Sequence, residues 1–307
     1  MAPRAVGVIG LGAMGGAFAR HLVEAGYAVS GYDIDAKRRQ RLKRHGGRPG
    51  ASIASVSRGH QTIVTSLPSV EACNSVFFGG GGIAHEARPG TIVIETSTMP
   101  LELKVALRDG CRKREITVLD CPISGTGAQA AAKDISVYAS GNPDAVQRCR
   151  AIFAGFARSM HFCGEYGNGS KLKFIANLLV TIHNVAAAEA IVLGRKSGLD
   201  ARLLYDVIRD GAGTSRMFEV RGAKMIADDY SNASMALGLY QKDIDIIGAF
   251  AAALHCPTPL FDASRQFYAA GLAQGREDDD PAVVCDVLAQ MADATARAKS
   301  RRSSRSR

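Results

Sequence analysis

The stretch "VIGLGAMGGAFARHL", residues 8–22, joins an apolar run to a helical pattern and sets Gly10, Gly12 and Gly15 at the join. Gly10 allows a sharp turn after a strand, Gly12 lets the backbone approach a pyrophosphate, and Gly15 lets the new helix pack close to that strand. Leu11, Ala13 and Met14 lie between them, so the whole turn offers backbone N–H groups and the positive end of a helix dipole to an anion. Taken alone, the spacing also fits an ordinary glycine-rich turn. Its context favours a dinucleotide: Asp33 closes the next apolar run in "VSGYDID", 18 residues beyond Gly15, near the spacing of an acid that binds ribose. A 2′-phosphate would meet the charge of Asp33, so NAD is expected over NADP. Asp33 and Asp35 both also suit the N-cap of the helix "AKRRQRLKRH", Asp35 better, and Lys37 and Arg38 stand nearby.

Outward from this motif, short β-rich runs alternate with helical patterns: "AVGVIG", "AVSGYD", "TIVTSL", "TIVIET", "ITVLD", "ISVYAS" and "SMHFC". Beyond Gly164 only helical patterns follow. The rhythm predicts an α/β chain with an N-terminal Rossmann-like, doubly wound sheet in residues 1–163 and an all-α domain in 164–296. A long interdomain helix from about Ser170 to Lys196 opens the second domain and offers an apolar face to another subunit. "FFGGGG", 77–82, is expected to be a helix-to-strand turn rather than a phosphate cradle, because it follows a helix. Residues 297–307, "RAKSRRSSRSR", have nothing apolar beyond alanine to bury and read as a disordered basic tail.

Composition limits the function. With 47% hydrophobic and 22% charged residues over 307, the chain is globular. The segment from Phe174 to Gly194 is apolar enough to span a membrane, but Asn177, His183, Asn184 and Glu189 interrupt it, which suits a buried helix. The opening run is too short for a signal peptide. Seven cysteines without a C-x-x-C pair fit reduced core thiols, and the histidines lack ligand spacing, so a cytoplasmic protein without a metal is expected. Of the formal charge of +9, six charges come from Arg297, Lys299, Arg301, Arg302, Arg305 and Arg307, so neither nucleic acid nor membrane is expected as a partner.

Six ordered motifs carry a resemblance: "GLGAMG" (10–15), "LPS" (67–69), "ETSTMP" (95–100), "DCPISGTGAQ" (120–129), "GNGSKLKFIAN" (167–177) and "QKDIDI" (241–246). Over nearly its whole length the chain resembles the β-hydroxyacid dehydrogenases, a family that includes 3-hydroxyisobutyrate, tartronate semialdehyde and threonate dehydrogenases. The resemblance implies that Leu67 and Pro68 line the cofactor cleft and that Ser97 and Thr98 approach the nicotinamide. Leu67 and Pro68 equally fit a strand end and a first-turn proline. It implies that Ser124, Gly125 and Thr126 hold the substrate carboxylate; Thr126 stands where the family has a second glycine, and Lys133 where a later glycine is common. It makes Lys173 the proton donor and acceptor, with Asn177 positioning it, and sets Lys242, beside Asp243, near cofactor and substrate.

Lys173 and Asn177 are four residues apart, hence on one face of a helix. Burial disfavours an ammonium and moves a lysine toward working pH, where it can accept the proton that a hydroxyl loses as hydride departs. Lys171 reads as a surface lysine. In "GAGTSRMFEVR", 211–221, Ser215, Arg216 and Phe218 are candidates for specificity. The expected function is an NAD-dependent interconversion of a short-chain 3-hydroxy acid and its semialdehyde or keto acid, in a homodimer or homotetramer. An imine reductase shares the architecture but commonly has another residue in place of Lys173. A non-catalytic dinucleotide- or nucleic-acid-binding module would not need Lys173 and Asn177.

Overall fold

The computed structural model describes residues 5–233 and 235–292, which form two compact units that divide between Lys173 and Phe174. The expected tail, 297–307, lies outside the described residues.

In the first unit, strand β1 (Ala5–Ile9) leads into helix α1 (Ala13–Glu24), β2 (Ala28–Tyr32) into α2 (Ala36–Arg44), and β3 (Arg48–Pro49) into α3 (Ile53–Gly59). Strand β4 (Thr62–Thr65) precedes α4 (Val70–Phe78) and α5 (Ile83–Glu86), and β5 (Ile92–Glu95) precedes α6 (Leu101–Arg112). Then come β6 (Thr117–Asp120), β7 (Ile123–Ser124), α7 (Gly127–Ala131), β8 (Ser136–Ala139), α8 (Pro143–Phe156) and β9 (Ser159–Phe162). Strands β1 to β6 form one parallel sheet in the order β3-β2-β1-β4-β5-β6. The chain order reverses at β1 and β4, so their carboxyl ends border a crevice, the usual place for a ligand in such sheets.

Both faces of this sheet are covered, which is why its strands are runs of Val and Ile rather than alternations. Val6, Val8, Val64, Ile92 and Ile94 pack with Phe18, Leu22 and Phe156 on one face. Ile9, Ile63 and Val93 pack with Phe77, Leu107 and Cys111 on the other. A smaller sheet, β7-β8-β9, is joined to β6 by an antiparallel bridge between Asp120 and Ser140. Strands β3 and β7 have two residues each and carry no period to read in the sequence. The glycine run 79–82 joins α4 to α5, two helices, where a strand was expected next. Only α5, a single turn of four residues, intervenes before β5.

Helix α9 (Asn168–Ser197) has 30 residues and is roughly 45 Å long. It is followed by α10 (Ala201–Asp210), α11 (Arg216–Ala227), α12 (Leu237–Ala253), α13 (Pro259–Ala273), a short 3-10 turn (Pro281–Val283) and α14 (Val284–Met291). Among the described residues α9 is the one helix long and apolar enough to cross a membrane. Within the second unit its Phe174, Val185, Ala188 and Ile191 join a core with Phe218, Tyr240, Phe261 and Tyr268. Asn184 donates there to the Tyr268 hydroxyl and to the Pro281 carbonyl.

Candidate active site

The three glycines of the first turn are held by different neighbours. Gly10 has φ +89°, and a Cβ on it would lie 2.1 Å from the Ser66 carbonyl oxygen. A Cβ on Gly15 would lie 1.9 Å from the Gly10 carbonyl oxygen, so α1 packs as close to β1 as backbone allows. Gly12 differs: the single neighbour of a Cβ there would be the Arg38 guanidinium at 3.6 Å. Gly12 also caps α1 without a side-chain hydrogen bond, and the first turn has no acidic residue. Two glycines therefore build the turn, while the third leaves room above a helix N-terminus for an anion. The residues fit a dinucleotide pyrophosphate over Leu11, Gly12, Ala13 and Met14.

Asp33, at the carboxyl end of β2, is buried and faces this turn. Its carboxylate accepts from the Leu11 N–H at 2.7 Å and the Asp35 N–H at 2.9 Å. Asp35 is the N-cap of α2, accepting from the Lys37 N–H at 2.7 Å. Arg38 lies 3.4 Å from Asp33 and 3.5 Å from Asp35, so two carboxylates offset its charge. A shallow pocket beside the turn is lined by Gly12, Ala13, Arg20, Arg38, Arg41 and His45, among others.

At the ends of β4 and β5, the Leu67 N–H donates to the Ser97 hydroxyl at 2.8 Å, and the Ser97 N–H donates to the Glu95 carboxylate at 2.9 Å. The residues expected around a nicotinamide are thus one hydrogen-bonded pair of loops, in which Pro68 and Thr98 follow Leu67 and Ser97. Ser124 ends β7. Gly125 has φ +138°, and a Cβ there would come within 2.7 Å of Ile135. Thr126 is the N-cap of α7: its oxygen accepts from the Gln129 N–H at 3.3 Å, while the Gln129 side chain accepts from the Thr126 N–H at 3.0 Å. Lys133 has φ +60°, the physical reason that glycine suits this position.

In "GNGSKLKFIAN" the two glycines again answer to geometry. Gly167 has φ +94°, and a Cβ on Gly169 would lie 2.4 Å from the Tyr138 carbonyl oxygen. Lys173 is buried on α9, as is Asn177 one turn further, whereas Lys171 is exposed. In the second unit, Asn177 donates to Asp243 at 2.9 Å, and Lys242 donates to the other oxygen of the same carboxylate at 2.8 Å. Asp243 therefore ties two of the expected residues together. Tyr240 adds a bond from its hydroxyl to the Asn177 carbonyl.

One buried cluster escaped the sequence reading. Lys104, Glu95 and Asp120 are fully buried, and the Lys104 ammonium contacts both carboxylates, that of Asp120 at 3.0 Å. Burial opposes its charge, but the two carboxylates outweigh burial and raise its pKa. The available signal was a lysine in register with Leu107 and Cys111 on the buried face of α6.

An α/β sheet with a glycine turn at its switch point defines a dinucleotide-binding protein, and comparison with known proteins makes the class narrower. Residues 5–164 match the NAD-binding domain of 6-phosphogluconate dehydrogenase, and residues 167–288 match the NAD-binding family of NADP-dependent 3-hydroxyisobutyrate dehydrogenase. An L-threonate dehydrogenase of Cupriavidus necator is 36% identical over 92% of this chain and 95% of its own. An NAD-dependent L-serine dehydrogenase of Pseudomonas aeruginosa is 28% identical over 91% and 96%. Among solved structures, the 3-hydroxyisobutyrate dehydrogenase of Salmonella typhimurium superposes with a TM-score of 0.84 at 28% identity, covering 92% of this chain and 99% of its own. An imine reductase of Myxococcus stipitatus, at 17% identity and a TM-score of 0.61, shares the fold alone. The chain belongs to the β-hydroxyacid dehydrogenase family. It is an oxidoreductase of hydroxy acids that depends on a nicotinamide dinucleotide.

Proposed function

We propose that the protein interconverts a short-chain 3-hydroxy acid and its semialdehyde or keto acid with NAD, using Lys173 as general acid and base. The observation that carries this reading is the burial of Lys173 and Asn177 one turn apart on α9. Residues 1–163 hold the dinucleotide, with Gly10, Leu11, Gly12, Ala13, Met14 and Gly15 around the pyrophosphate and Asp33 at the adenosine ribose. Leu67, Pro68, Ser97, Thr98 and Lys242 face the nicotinamide end. NAD is favoured because Asp33 supplies a carboxylate where a 2′-phosphate would sit and Arg38 is already shared between Asp33 and Asp35.

Ser124, Gly125 and Thr126 receive the substrate carboxylate, the Thr126 hydroxyl keeping its proton to donate, and Lys242 offsets the carboxylate charge. When bound, the nicotinamide accepts the hydride that leaves the hydroxyl-bearing carbon. As that C–H bond breaks, the hydroxyl proton passes to neutral Lys173 Nζ and the O–H electron pair forms the carbonyl; in reduction Lys173 returns the proton. Asn177, held by Asp243, positions the lysine and substrate.

Residues 164–296 serve as the substrate and oligomerisation domain, the homo-oligomer forming through the exposed Leu172, Ile175 and Leu179 on α9. A cytoplasmic location fits the seven free cysteines.

L-threonate, L-serine and 3-hydroxyisobutyrate, offered with NAD and NADP and followed by nicotinamide absorbance, test the reading. Lys173→Ala should lower kcat about 10²- to 10⁴-fold with NADH affinity unchanged, and Lys173→Arg should restore little, because a guanidinium keeps its proton. A folded Lys173→Ala protein at near-native kcat overturns the mechanism.

A further inference from the structure

The buried cluster has a second set of bonds that leads to the start of α9. One Asp120 oxygen accepts from the Ser170 N–H at 2.8 Å, and the other accepts from the Ser170 hydroxyl at 2.7 Å. The Ser140 hydroxyl donates to Asp120 and accepts from the Gly169 N–H at 3.0 Å. Of the N–H groups that a helix start must satisfy, those of Gly169 and Ser170 are thus met by Ser140 and Asp120, far away in the chain, while the Asn168 N–H donates to the nearby Glu165 carbonyl. Lys104 contacts the same Asp120 oxygen that accepts from the Ser170 hydroxyl, and the Tyr166 hydroxyl donates to the Lys104 carbonyl at 2.8 Å. The ammonium also fixes Glu95, whose other oxygen accepts from the Ser97 N–H. One buried cation therefore steadies both the Ser97 loop and the helix turn that lies three residues before Lys173.

We propose that the Lys104–Asp120 pair is a positioning device for proton transfer: it fixes the first turn of α9 and thereby the place of Lys173 Nζ. The proposal rests on the assignment of Lys173 as general acid and base. A buried lysine with two buried carboxyl groups is an expensive way to stabilise a sheet end, since well-packed apolar residues of similar volume often do as well or better. A device that sets the angle of a helix start has a use for the fixed directions of charge-assisted hydrogen bonds. Displacement of a catalytic group by about 1 Å can cost on the order of 10²-fold in rate.

The test measures kcat, NADH affinity by fluorescence, and the solvent deuterium isotope effect on kcat, with whichever acid of the panel the native enzyme oxidises best. Lys104→Met and Asp120→Asn should each lower kcat about 10- to 100-fold, and Ser170→Ala a few-fold, with NADH affinity unchanged in Asp120→Asn and Ser170→Ala, which leave the Ser97 loop its Glu95 contact. The solvent isotope effect should rise in each, because proton transfer becomes slower relative to the other steps. A loss of folded enzyme would lower the rate without moving the isotope effect, and that result overturns the proposal. Because Lys104 acts through Asp120, the double variant should lose no more than the worse single, whereas additive losses also overturn it. If Lys104→Met does not fold, Asp120→Asn and Ser170→Ala decide, and native kcat in both refutes it. Native kcat in these variants beside an inactive Lys173→Ala sinks the positioning device alone; an active Lys173→Ala sinks the assignment beneath it.

Discussion

Alanine at Gly12 and alanine at Gly15 should fail in opposite ways, although the two glycines belong to one motif. A Cβ on Gly15 would lie 1.9 Å from the Gly10 carbonyl oxygen, more than 1 Å inside van der Waals contact, and the obstacle is backbone that cannot rotate away. Helix α1 must lift off β1, and such overpacking costs about 1–3 kcal/mol or more. At Gly12 the nearest atom is 3.6 Å away, at the end of a flexible arginine, and φ is −64°, which any residue adopts. The fold then loses only the difference between glycine and alanine at an N-cap, about 0.5–1 kcal/mol, or roughly 1–2 °C in Tm. The new methyl instead occupies the space above the helix N-terminus. Loss of a charge-assisted hydrogen bond there costs about 1.5–3 kcal/mol, so NADH affinity should fall roughly 10- to 150-fold. Thermal melts and NADH titration of both variants provide the comparison. Native NADH affinity in Gly12→Ala would refute the placement of the pyrophosphate, and a melt as depressed as that of Gly15→Ala would refute the space above Gly12.

Asp33→Asn should narrow the preference for NAD over NADP, read as the ratio of kcat/KM values; equal efficiency in the unmodified protein would show that Arg38 or Lys37 overrides the carboxylate. Lys133→Gly should raise stability by about 1 kcal/mol in urea unfolding, since φ is +60° at this lysine. Burial pushes the thiols of Cys111 and Cys149 up to about 12 and that of Cys285 to about 11, while Cys256 is exposed. Iodoacetamide at pH 8 should therefore label Cys256 fast and these three only on unfolding, as peptide mapping would show. Because the folded values lie above the unfolded value of 9.0, these thiols remove stability as pH rises from about 9 toward 12, by about 1.4 kcal/mol per thiol and pH unit.

What could be read from the sequence follows from what leaves a period or a punctuation mark. All seven quoted runs are strands, because each has three or more buried positions or clear turn residues around it. Strands β3 and β7 exist only through their partners, Ser30 and Gly31 for one and Ser136 and Val137 for the other, so nothing local announces them. The long apolar helix was visible from its composition, and its first residue, Asn168, follows Gly167 at positive φ. Lys104 was hidden for a different reason. A lysine in a helix with charged neighbours reads as solvated, and the two acids that justify its burial lie at positions 95 and 120. The capping duty of Thr126 was likewise masked by its expected part in carboxylate binding, although Gln129 three residues later is the mark of a capping box.

The remote caps of α9 also set an order of assembly. Ser170 is 50 residues from Asp120 and Gly169 is 29 from Ser140. Two N–H groups at the amino end of this helix have their partners outside the segment that encodes it, so they are satisfied only once β6 and the turn after β8 are in place. A helical domain moved by recombination onto a foreign sheet would carry Lys173 with it and still lack a rigid first turn. With Lys173 in its proposed role, the sixth strand's last aspartate and the start of the helix form one unit, which a transplanted helical domain needs in full.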